Sequence, residues 1–307
     1  MKKQLVKGII IRGTGIVLAL ALVACSNWEN FSLSSKSSSQ SLGIDYHRFA
    51  AATTVCSPLN GAGPTTDPSI QITYLNGLSG RLFSLNPGAP IPQNLAQQFQ
   101  YSSDVGINLF LNDLNVPTRL FTEGFPNAQG QLLTNAAGTE LVEYFGMQLQ
   151  SAIQLTFNDV PGAYQFAVIS DDGSTFSLDP MSNNNFTTLI DDDGTHPSLM
   201  KCANSPISLS RGQQIPMKLQ YFQGPRYHIA LMLMWRPWPA KSADVQDPLC
   251  GSEGNNQFFD PNTVPSTPTQ NYQDLLARGW KPLVPGNYII PDLSFNPCNV
   301  PNYFGAQ

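Results

Sequence analysis

The chain carries little charge for its length. Only 12% of its 307 residues are Asp, Glu, Lys or Arg, whereas 24 are glycine and 25 are proline. Few charges together with many turn-forming residues are typical of all-β extracellular proteins rather than of helical cytosolic enzymes. The length is enough for one large β domain or two small ones. The composition therefore favours an exported, β-rich protein.

Residues that mark common metal and enzyme sites are also scarce. The three histidines lie far apart, and the sequence contains neither an HExxH nor a CxxC motif, so a zinc site is not expected. The GxSxG motif, the P-loop and a dinucleotide-binding glycine pattern are absent as well. The sequence therefore predicts a protein that is not an enzyme.

No apolar run is long enough to span a bilayer, but the N-terminus has the pattern of an export signal. Four basic residues within the first twelve precede a short apolar run over residues 16–23. The run Leu22-Val23-Ala24-Cys25 resembles the lipobox of bacterial lipoproteins, in which the cysteine is diacylated and becomes the new N-terminus. The resemblance implies a signal peptide over residues 1–24 and lipidation of Cys25. With Ser26 in the next position, it also implies sorting to the outer membrane, facing either the periplasm or the cell surface.

The mature chain is expected to begin with a tether and to be acidic. Residues 25–55 form the predicted lipidated tether, since most of this segment is rich in Ser, Lys and Gln and cannot bury a core. Without the first 24 residues, 12 Lys and Arg oppose 21 Asp and Glu, a net charge of about −9. Such an acidic surface argues against binding of nucleic acid or anionic lipid. The acyl chains on Cys25 are then the expected membrane contact.

Replacing Cys25 by serine is expected to abolish membrane anchoring, because only the thiol can carry the diacylglycerol group. Detergent partitioning of the wild-type chain and the Cys25→Ser variant measures this directly. A variant that still partitions with the membrane fraction would contradict the lipidation site.

Lipidation of Cys25 leaves an even number of cysteines, namely Cys56, Cys202, Cys250 and Cys298. In an oxidising compartment two disulfide bonds are expected. Four cysteines allow three pairings, and the sequence does not choose among them. We nevertheless favour bonds that tie the C-terminal residues to the β domain.

Short alternating segments dominate from residue 69 to residue 238. Period-2 alternation of apolar and polar residues is what half-buried strands require. Outside the central segment at 163–179, strands are predicted at 70–74, 82–85, 107–111, twice within 141–157, and at 188–190, 206–209, 215–222 and 227–235. A short helix is predicted at 93–100. Many short strands with turn signals indicate an antiparallel β-sandwich or barrel over residues 56–238.

Beyond this domain, residues 239–307 are rich in Pro, Asn and Gln, and only residues 272–278 have a helical pattern. The segment also contains two cysteines and several aromatic residues. These features favour an irregular arm packed on the β domain over a disordered tail.

The segment AYQFAVISDDGSTFSLD, residues 163–179, is the best candidate for a functional site. Alternation on both sides of Asp171-Asp172-Gly173 predicts the two strands of a hairpin, each with one face in the core. Two adjacent aspartates repel one another unless a cation or hydrogen-bond donors hold them. The turn is therefore a candidate cation site, and the alternative is a solvated hairpin tip.

The order of these motifs resembles the protective-antigen-type (PA-fourteen) β-barrel domain. The resemblance covers residues 70–238. Its motifs are GAYQF (162–166), SDDGS (170–174), LID (189–191), RGQ (211–213) before a predicted strand, and ALMLMW (230–235). The run DDDGTH (191–196) also resembles an element of the fibro-slime branch of the family.

The resemblance implies a two-sheet barrel with the acidic turn at one end. In carbohydrate-binding fungal members, the aspartates equivalent to Asp171 and Asp172 are joined by a cis peptide and hold a Ca²⁺ ion that coordinates sugar hydroxyls. Hard oxygen ligands suit calcium, so the resemblance gives calcium as the candidate cofactor.

Two carboxylates alone do not fill the roughly six to eight positions of a calcium ion. The fungal members add ligands from a later loop, whose counterpart here, residues 223–226, is short and carries a cation, Arg226. Asp191 and Asp193, with Asp192 between them, are candidates for the missing ligands. The alternative for these three residues is a solvated turn.

Three functions follow from the sequence. The first is an outer-membrane surface lipoprotein whose β domain binds a glycan or cell-wall polysaccharide, for adhesion or for recognition of the cell envelope. The second is a non-catalytic structural or protein-interaction module of the envelope. The third is a glycan-processing enzyme, since paired carboxylates can hydrolyse glycosides. Adjacent residues tend to point apart instead of flanking one bond, so we favour the first.

Overall fold

Two β-sheets packed face to face make up the structure. The computed structural model describes residues 53–56 (backbone only), 75–126, 131–135, 137–238 and 246–290. The predicted signal peptide, the predicted strand at 70–74 and the side chains of Cys25, Cys56 and Cys298 lie outside the described residues. In the part of the chain that is described, no helix is long and apolar enough to cross a membrane.

The described elements are mostly short strands. In chain order, the strands are β1 (Thr53–Cys56), β2 (Leu75–Asn76), β3 (Leu78–Leu85), β4 (Ser102–Leu111), β5 (Asn115–Leu120), β6 (Phe145–Ile153), β7 (Gly162–Asp171), β8 (Ser174–Leu178), β9 (Thr187–Asp192), β10 (Leu199–Cys202), β11 (Ile207–Leu209), β12 (Ile215–Gln223), β13 (His228–Trp238), β14 (Phe259–Asp260), β15 (Thr267–Pro268), β16 (Lys281–Pro282) and β17 (Tyr288–Ile290). The helices are α1 (Leu95–Tyr101) and α2 (Gln270–Ala277), with single 3₁₀ turns at Phe121–Glu123 and Pro285–Asn287.

The strands form an antiparallel sandwich. The larger sheet has the order β1-β4-β3-β6-β12-β8-β9, and β17 joins it beside β6 and also pairs with β2. The smaller sheet has the order β10-β7-β13-β16, with β11 beside β7 and β5 beside β13. Only β1 and β4 run parallel among the strand pairs of the described chain. No described strand pairs from one sheet to the other, so the fold is a sandwich and not a closed barrel.

Alternate residues of β7 point between the sheets and build the core. Tyr164, Phe166 and Val168 are buried there, and Trp235 of β13 lies opposite Phe166 in the register. The ring of Trp235 is 4.6 Å from that of Tyr164. From the facing sheet, the ring of Phe176 lies 5.4 Å from Phe166. Burial of each large side chain stabilises the fold by roughly 1.5–3 kcal/mol.

The acidic turn does not close a hairpin, so that prediction is wrong. β7 belongs to the smaller sheet, where it pairs with β13, whereas β8 belongs to the larger sheet and pairs with β12 and β9. Residues 171–173 therefore carry the chain from one sheet to the other. The alternation could not distinguish these arrangements, because each strand turns every second residue toward the same core in both.

Both faces of β7 are buried, contrary to the predicted half-buried strand. Its outward residues Ala167 and Ile169 pack in a second apolar cluster with Met232 and Met234 of β13. C-terminal side chains cover this cluster, namely Phe258, Phe259, Tyr272, Leu275 and Trp280. Residues 246–280 thus form an additional layer over the smaller sheet.

The C-terminal residues also extend both sheets. Lys281 of β16 pairs with Trp235 of β13, and Tyr288 of β17 pairs with Ile153 of β6. A disulfide bond between Cys202 and Cys250 joins β10 to the start of the segment. Strand pairing, apolar packing and a covalent bond therefore hold these residues on the sandwich.

Removing this disulfide bond is expected to destabilise the fold by about 4 kcal/mol, because the bond closes a loop over a sequence separation of 48 residues in the unfolded chain. Urea denaturation of the Cys202→Ser/Cys250→Ser variant against the wild-type chain measures the change. The same variant with and without reductant serves as the control, since reductant then has no Cys202–Cys250 bond to break. A loss below about 1 kcal/mol would contradict the expectation.

Some strands differ from the predictions. Residues 141–157 contain one strand, β6, and not two. β5 and β10 were not predicted at all. β5 contains Pro117, and its pairing with β13 shifts register between Ile229 and Leu231 at that point. Among the described strands, β5 pairs with β13 alone. On such an edge strand the N–H that Pro117 lacks is not needed by a second neighbour. A strand can therefore form here although proline disfavours strands.

Candidate functional site

Three buried carboxylates lie near the end of β7. We call Asp171, Asp172 and Asp192 the acidic corner. Their residues are only 3–5% exposed, and the peptide bond between Asp171 and Asp172 is cis. Carboxylates with so little exposure need hydrogen-bond donors or a cation to stay ionised.

Two glycines let the backbone approach this corner closely. A Cβ atom on Gly173 would lie 2.5 Å from Cε1 of Phe222 and 2.7 Å from the backbone nitrogen of Gly194. A Cβ atom on Gly224 would lie 3.0 Å from Oδ2 of Asp172. The sequence therefore needs glycine at residue 173 if residues 171–173 are to cross between the sheets beside β12.

Asp172 is held by backbone amides. Its Oδ1 accepts a hydrogen bond from the N–H of His196 at 3.1 Å, and its Oδ2 accepts one from the N–H of Gly224 at 2.7 Å. Asp171 accepts at Oδ2 from the Ser198 hydroxyl at 3.3 Å, and its backbone carbonyl accepts from the Tyr221 hydroxyl at 2.6 Å. These bonds bring residues of three separate segments together, namely 171–172, 196–198 and 221–224.

Of the three consecutive aspartates, the middle one turns inward. Asp192 accepts a hydrogen bond from the Ser170 hydroxyl at 3.0 Å. Asp191 is exposed. Asp193 is exposed as well, and it accepts from the N–H of Leu95 at 2.7 Å, at the first turn of α1. The structure thus places Asp192 in the corner, whereas the sequence had named Asp191 and Asp193.

His196 supplies positive charge next to these carboxylates. Its Nδ1 lies 2.9 Å from the carbonyl oxygen of Pro197, and its Nε2 lies 3.1 Å from the carbonyl oxygen of Asp192. The same Nε2 is 3.7 Å from Oδ2 of Asp192. Both ring nitrogens face acceptors, so the doubly protonated imidazolium fits this position best.

Burial sets the electrostatics of the corner. Burial and the Asp172 carboxylate raise the pKa of Asp171 from 3.8 to about 7. Burial likewise raises the pKa of Asp172 and of Asp192 to about 6, against the opposing effect of their hydrogen bonds. Burial lowers the pKa of His196, but the Asp192 carboxylate and the two carbonyl acceptors outweigh it, so the net shift is upward. The corner therefore binds protons more readily than isolated aspartates do.

The short loop at residues 223–226 contacts the corner directly. Gly224 donates to Asp172, as described above, and the side chain of Gln223 lies 2.6 Å from the Tyr221 hydroxyl. The guanidinium of Arg226 pairs with Glu143, with Nε 3.5 Å from Oε2. The cation that the sequence placed in this loop therefore has a carboxylate partner outside the corner.

Two tyrosines lie in loops that adjoin the corner. Tyr227, directly after Arg226, is 71% exposed. Tyr144 is close enough to the corner that Asp172 contributes to raising the pKa of its hydroxyl, after burial and Glu143. Tyr144 also lines an open cleft of about 540 Å³ between residues 84–89 and residues 135–144. One exposed tyrosine and one partly buried tyrosine thus lie in loops near the buried carboxylates.

The donor set fits a calcium ion in chemical type. Asp171 and Asp172 would hold it, since ionised carboxylate oxygens are hard ligands. Each carboxylate has about four lone-pair sites, so the two amide hydrogen bonds leave acceptor capacity on Asp172. Among the described residues, no three His, Cys, Asp or Glu side chains are grouped so as to hold a metal ion. Water, carbonyl or ligand oxygens would therefore have to complete the coordination.

Sequence reasoning did not identify His196 or the two tyrosines, and it did not single out Asp192 among the three consecutive aspartates. A signal for Asp192 existed, because it lies two residues after Ile190 and strand alternation puts both on one face. Ile190 is in the core, so Asp192 had to point inward and Asp191 outward. No comparable local signal marks Tyr144 or Tyr227, which reach the corner only through the fold.

Comparison with known proteins gives structural neighbours only. No protein-family model matches the chain, and no curated protein matches it. The solved PA14 domain of the antifreeze protein MpAFP is 14% identical, with a TM-score of 0.40, over 58% of this chain and 90% of that one.

Two adhesin domains are similar to the same extent. The PA14 sugar-binding domain of an RTX adhesin is 18% identical, with a TM-score of 0.38, over 52% of this chain and 89% of that one. The A domain of epithelial adhesin 9 from Candida glabrata was solved with Galβ1-4GlcNAc. It is 14% identical, with a TM-score of 0.38, over 66% of this chain and 98% of that one. The solved structures that are similar to this chain include PA14 domains, the family that its sequence motifs resemble.

Proposed function

We propose that this chain binds a carbohydrate at the acidic corner, with Ca²⁺ bridging Asp171 and Asp172 to sugar hydroxyls, and that it is non-catalytic. The observation that carries the proposal is a pair of adjacent buried carboxylates, one of which accepts a hydrogen bond from Gly224, three residues before the exposed Tyr227. Glycan sites combine these elements, because aromatic rings pack on the apolar faces of sugars while charged groups fix the hydroxyls.

A bound divalent ion removes the main electrostatic cost of the corner. Without it, burial raises the pKa values of Asp171 and Asp172, and the Asp172 carboxylate adds to the rise for Asp171. With it, both carboxylates stay ionised, and the ion keeps open positions for vicinal hydroxyls of a sugar. Asp192, which accepts from Ser170, and His196, whose N–H donates to Asp172, add a negative and a positive charge to the corner.

Asp171→Asn is expected to weaken Ca²⁺ binding at least tenfold while the protein remains folded, because the change keeps the shape of the side chain and removes one of two ligand charges. Calorimetric titration with Ca²⁺ measures the affinity. The matched control is Asp191→Asn, which removes the same charge from an exposed residue nearby and should change the affinity less than about twofold.

The same titration decides against the proposal if the wild-type chain gives no heat and no melting shift at millimolar calcium. The alternative is then a structural or protein-interaction module. One observation favours that alternative, since backbone amides already hold both carboxylate oxygens of Asp172. A glycan array with and without calcium tests the sugar itself, and Galβ1-4GlcNAc and lactose serve as first probes.

We further propose that the protein is exported and anchored to the outer membrane through acyl chains on Cys25. The support is the lipobox-like run Leu22-Val23-Ala24-Cys25 after a basic, apolar N-terminus. The Cys202–Cys250 bond is consistent with an oxidising compartment. In this arrangement the sandwich presents its glycan site for adhesion or for recognition of envelope polysaccharide.

A further inference from the structure

We propose that the cleft beside the acidic corner makes the glycan site selective for uncharged or amino-bearing sugars and against acidic ones. The inference rests on the proposed function, because it concerns the sugar units next to the one held at the corner. The cleft has a volume of about 540 Å³, within the usual range of small-molecule sites.

Two residues of the cleft lining, Tyr144 and Glu143, link the cleft to the acidic corner. Tyr144 lines the cleft and lies within electrostatic range of Asp172. Glu143, also in the lining, pairs with Arg226, and Arg226 follows Gly224, whose N–H donates to Asp172. A saccharide chain that leaves the corner therefore meets the cleft on this side.

Hydrogen bonds hold the walls of the cleft in place. The N–H of Leu85 donates to the carbonyl oxygen of Tyr144 at 3.0 Å and so ties one wall to the other. The Asn86 side chain accepts from the Ser103 hydroxyl at 2.7 Å. The Asn135 side chain accepts from the N–H of Thr139 at 3.0 Å. A preformed cleft binds without a large ordering cost.

The backbone at Tyr144 adds a second sign of function. Its φ is 57°, in the left-handed region where bulky residues are rarely found. Such conformations persist where the surrounding structure enforces them, and they concentrate at binding sites. The bond from Leu85 is one such restraint, and it keeps the ring of Tyr144 at the boundary between the cleft and the corner.

The charge of the lining determines which sugars fit. Glu140 and Glu143 are its charged members, and neither lysine nor arginine is among the lining residues. Arg226 offsets Glu143 in part, whereas Glu140 is exposed to whatever enters. A uronate, sialate or sulfate group in the cleft would be repelled, and an amino group would be attracted.

The test is a glycan array that carries matched pairs of one oligosaccharide with and without a carboxylate or sulfate, and with and without a free amine, probed in millimolar calcium. We expect the wild-type chain to bind neutral or amino members at least about tenfold more tightly than their acidic partners. Glu140→Gln should reduce that ratio about threefold, and Glu140→Gln/Glu143→Gln should reduce it further. Asp274→Asn, on the distant helix α2, is the matched control and should leave the ratio unchanged.

Raising the ionic strength should narrow the same ratio, because the discrimination is electrostatic. Wild-type binding with no preference for neutral or amino members, or a ratio that the glutamine variants leave unchanged, would overturn the inference and leave the proposed function standing. No glycan bound by any variant in calcium would overturn both. Since Glu140 is exposed, the single variant keeps the test valid if the double variant does not fold.

Discussion

Replacing Asp247 by alanine is expected to destabilise the folded protein by about 3–5 kcal/mol. Asp247 is fully buried and accepts hydrogen bonds from Arg278 Nε at 2.7 Å and from Trp280 Nε1 at 3.0 Å. Its Oδ2 also lies 3.4 Å from Nη1 of Arg236, whose side chain is 1% exposed. Removing the carboxylate would leave the Arg236 guanidinium buried without a counterion, and that is the main source of the loss.

The Asp247→Ala substitution should also loosen the contact between the C-terminal layer and the smaller sheet. Arg236 belongs to β13, whereas Asp247, Arg278 and Trp280 belong to the C-terminal layer, so the ion pair joins that layer to the smaller sheet. Urea denaturation measures the loss of stability, and binding of a hydrophobic dye should increase as the second apolar cluster opens. Asp260→Ala is the control. The Asp260 carboxylate also lies in the C-terminal layer, but the hydrogen bonds it accepts come from Asn262 in its own turn. A loss for Asp247→Ala no larger than for Asp260→Ala would contradict the expectation.

The C-terminal layer shows what the sequence could and could not predict. Its aromatic residues and cysteines indicated packing on the β domain. The alternation in β7 nevertheless predicted one buried face, because a strand sequence reports which residues are apolar and not what covers them. Ala167 and Ile169 are apolar, yet so is the outward face of many exposed strands. Only residues about 90 positions later in the chain decide that this face is buried.

The two sheets show that the sequence predicts where strands lie but not how they pair. Most strands lay where alternation predicted them, since the period of 2 is a local property. Pairing is not local. The acidic turn has a glycine and two aspartates, as hairpin turns do, but β7 and β8 join different sheets. The close contacts of Gly173 with Phe222 and Gly194 reveal the crossing, and they depend on residues distant in sequence.

The candidate site could be predicted only in part, because strand pairing and loop positions bring some of its residues together. Asp171 and Asp172 stand together in the sequence, and their family resemblance marked them. Asp192 joins them because β9 is hydrogen-bonded to β8, with Ser174 opposite Asp192 in the register. Tyr144 and Tyr227 reach the corner from loops at the ends of other strands. Residues that only the fold brings together leave no signal in a single sequence.

Raising the pH from about 4 to about 8 is expected to lower the stability of the calcium-free protein by several kcal/mol. A carboxyl group whose folded-state pKa exceeds its ordinary 3.8 binds its proton more tightly in the folded state. It therefore contributes most to stability at low pH and loses that contribution as the pH rises through the folded value. Asp171 has a folded pKa of about 7, and a shift of this size corresponds to about 4 kcal/mol.

The other titratable groups of the acidic corner also lower the stability of the calcium-free protein as the pH rises. Asp172 and Asp192, each with a pKa of about 6, lose their contributions slightly earlier on the pH scale. The pKa of His196 is raised as well, so its contribution is present below 6.5 and fades as the pH rises through the folded value. Asp159 and Asp247 have lowered pKa values. Their contributions are lost only on acidification below about 4, outside this window.

Melting temperatures between pH 4 and pH 8, with calcium and with a chelator, measure the effect. The chelated wild-type chain should melt at progressively lower temperature as the pH rises, and millimolar Ca²⁺ should restore most of the loss near neutral pH. Asp171→Asn should flatten the pH profile, because the amide does not titrate, whereas Asp191→Asn should leave the profile as it is. A chelated wild-type profile that is flat or rises from pH 5 to pH 8 would show that the corner does not hold its carboxyl groups protonated. In that case the corner would need no cation to stay folded, and the physical argument for calcium at Asp171 and Asp172 would fail with it.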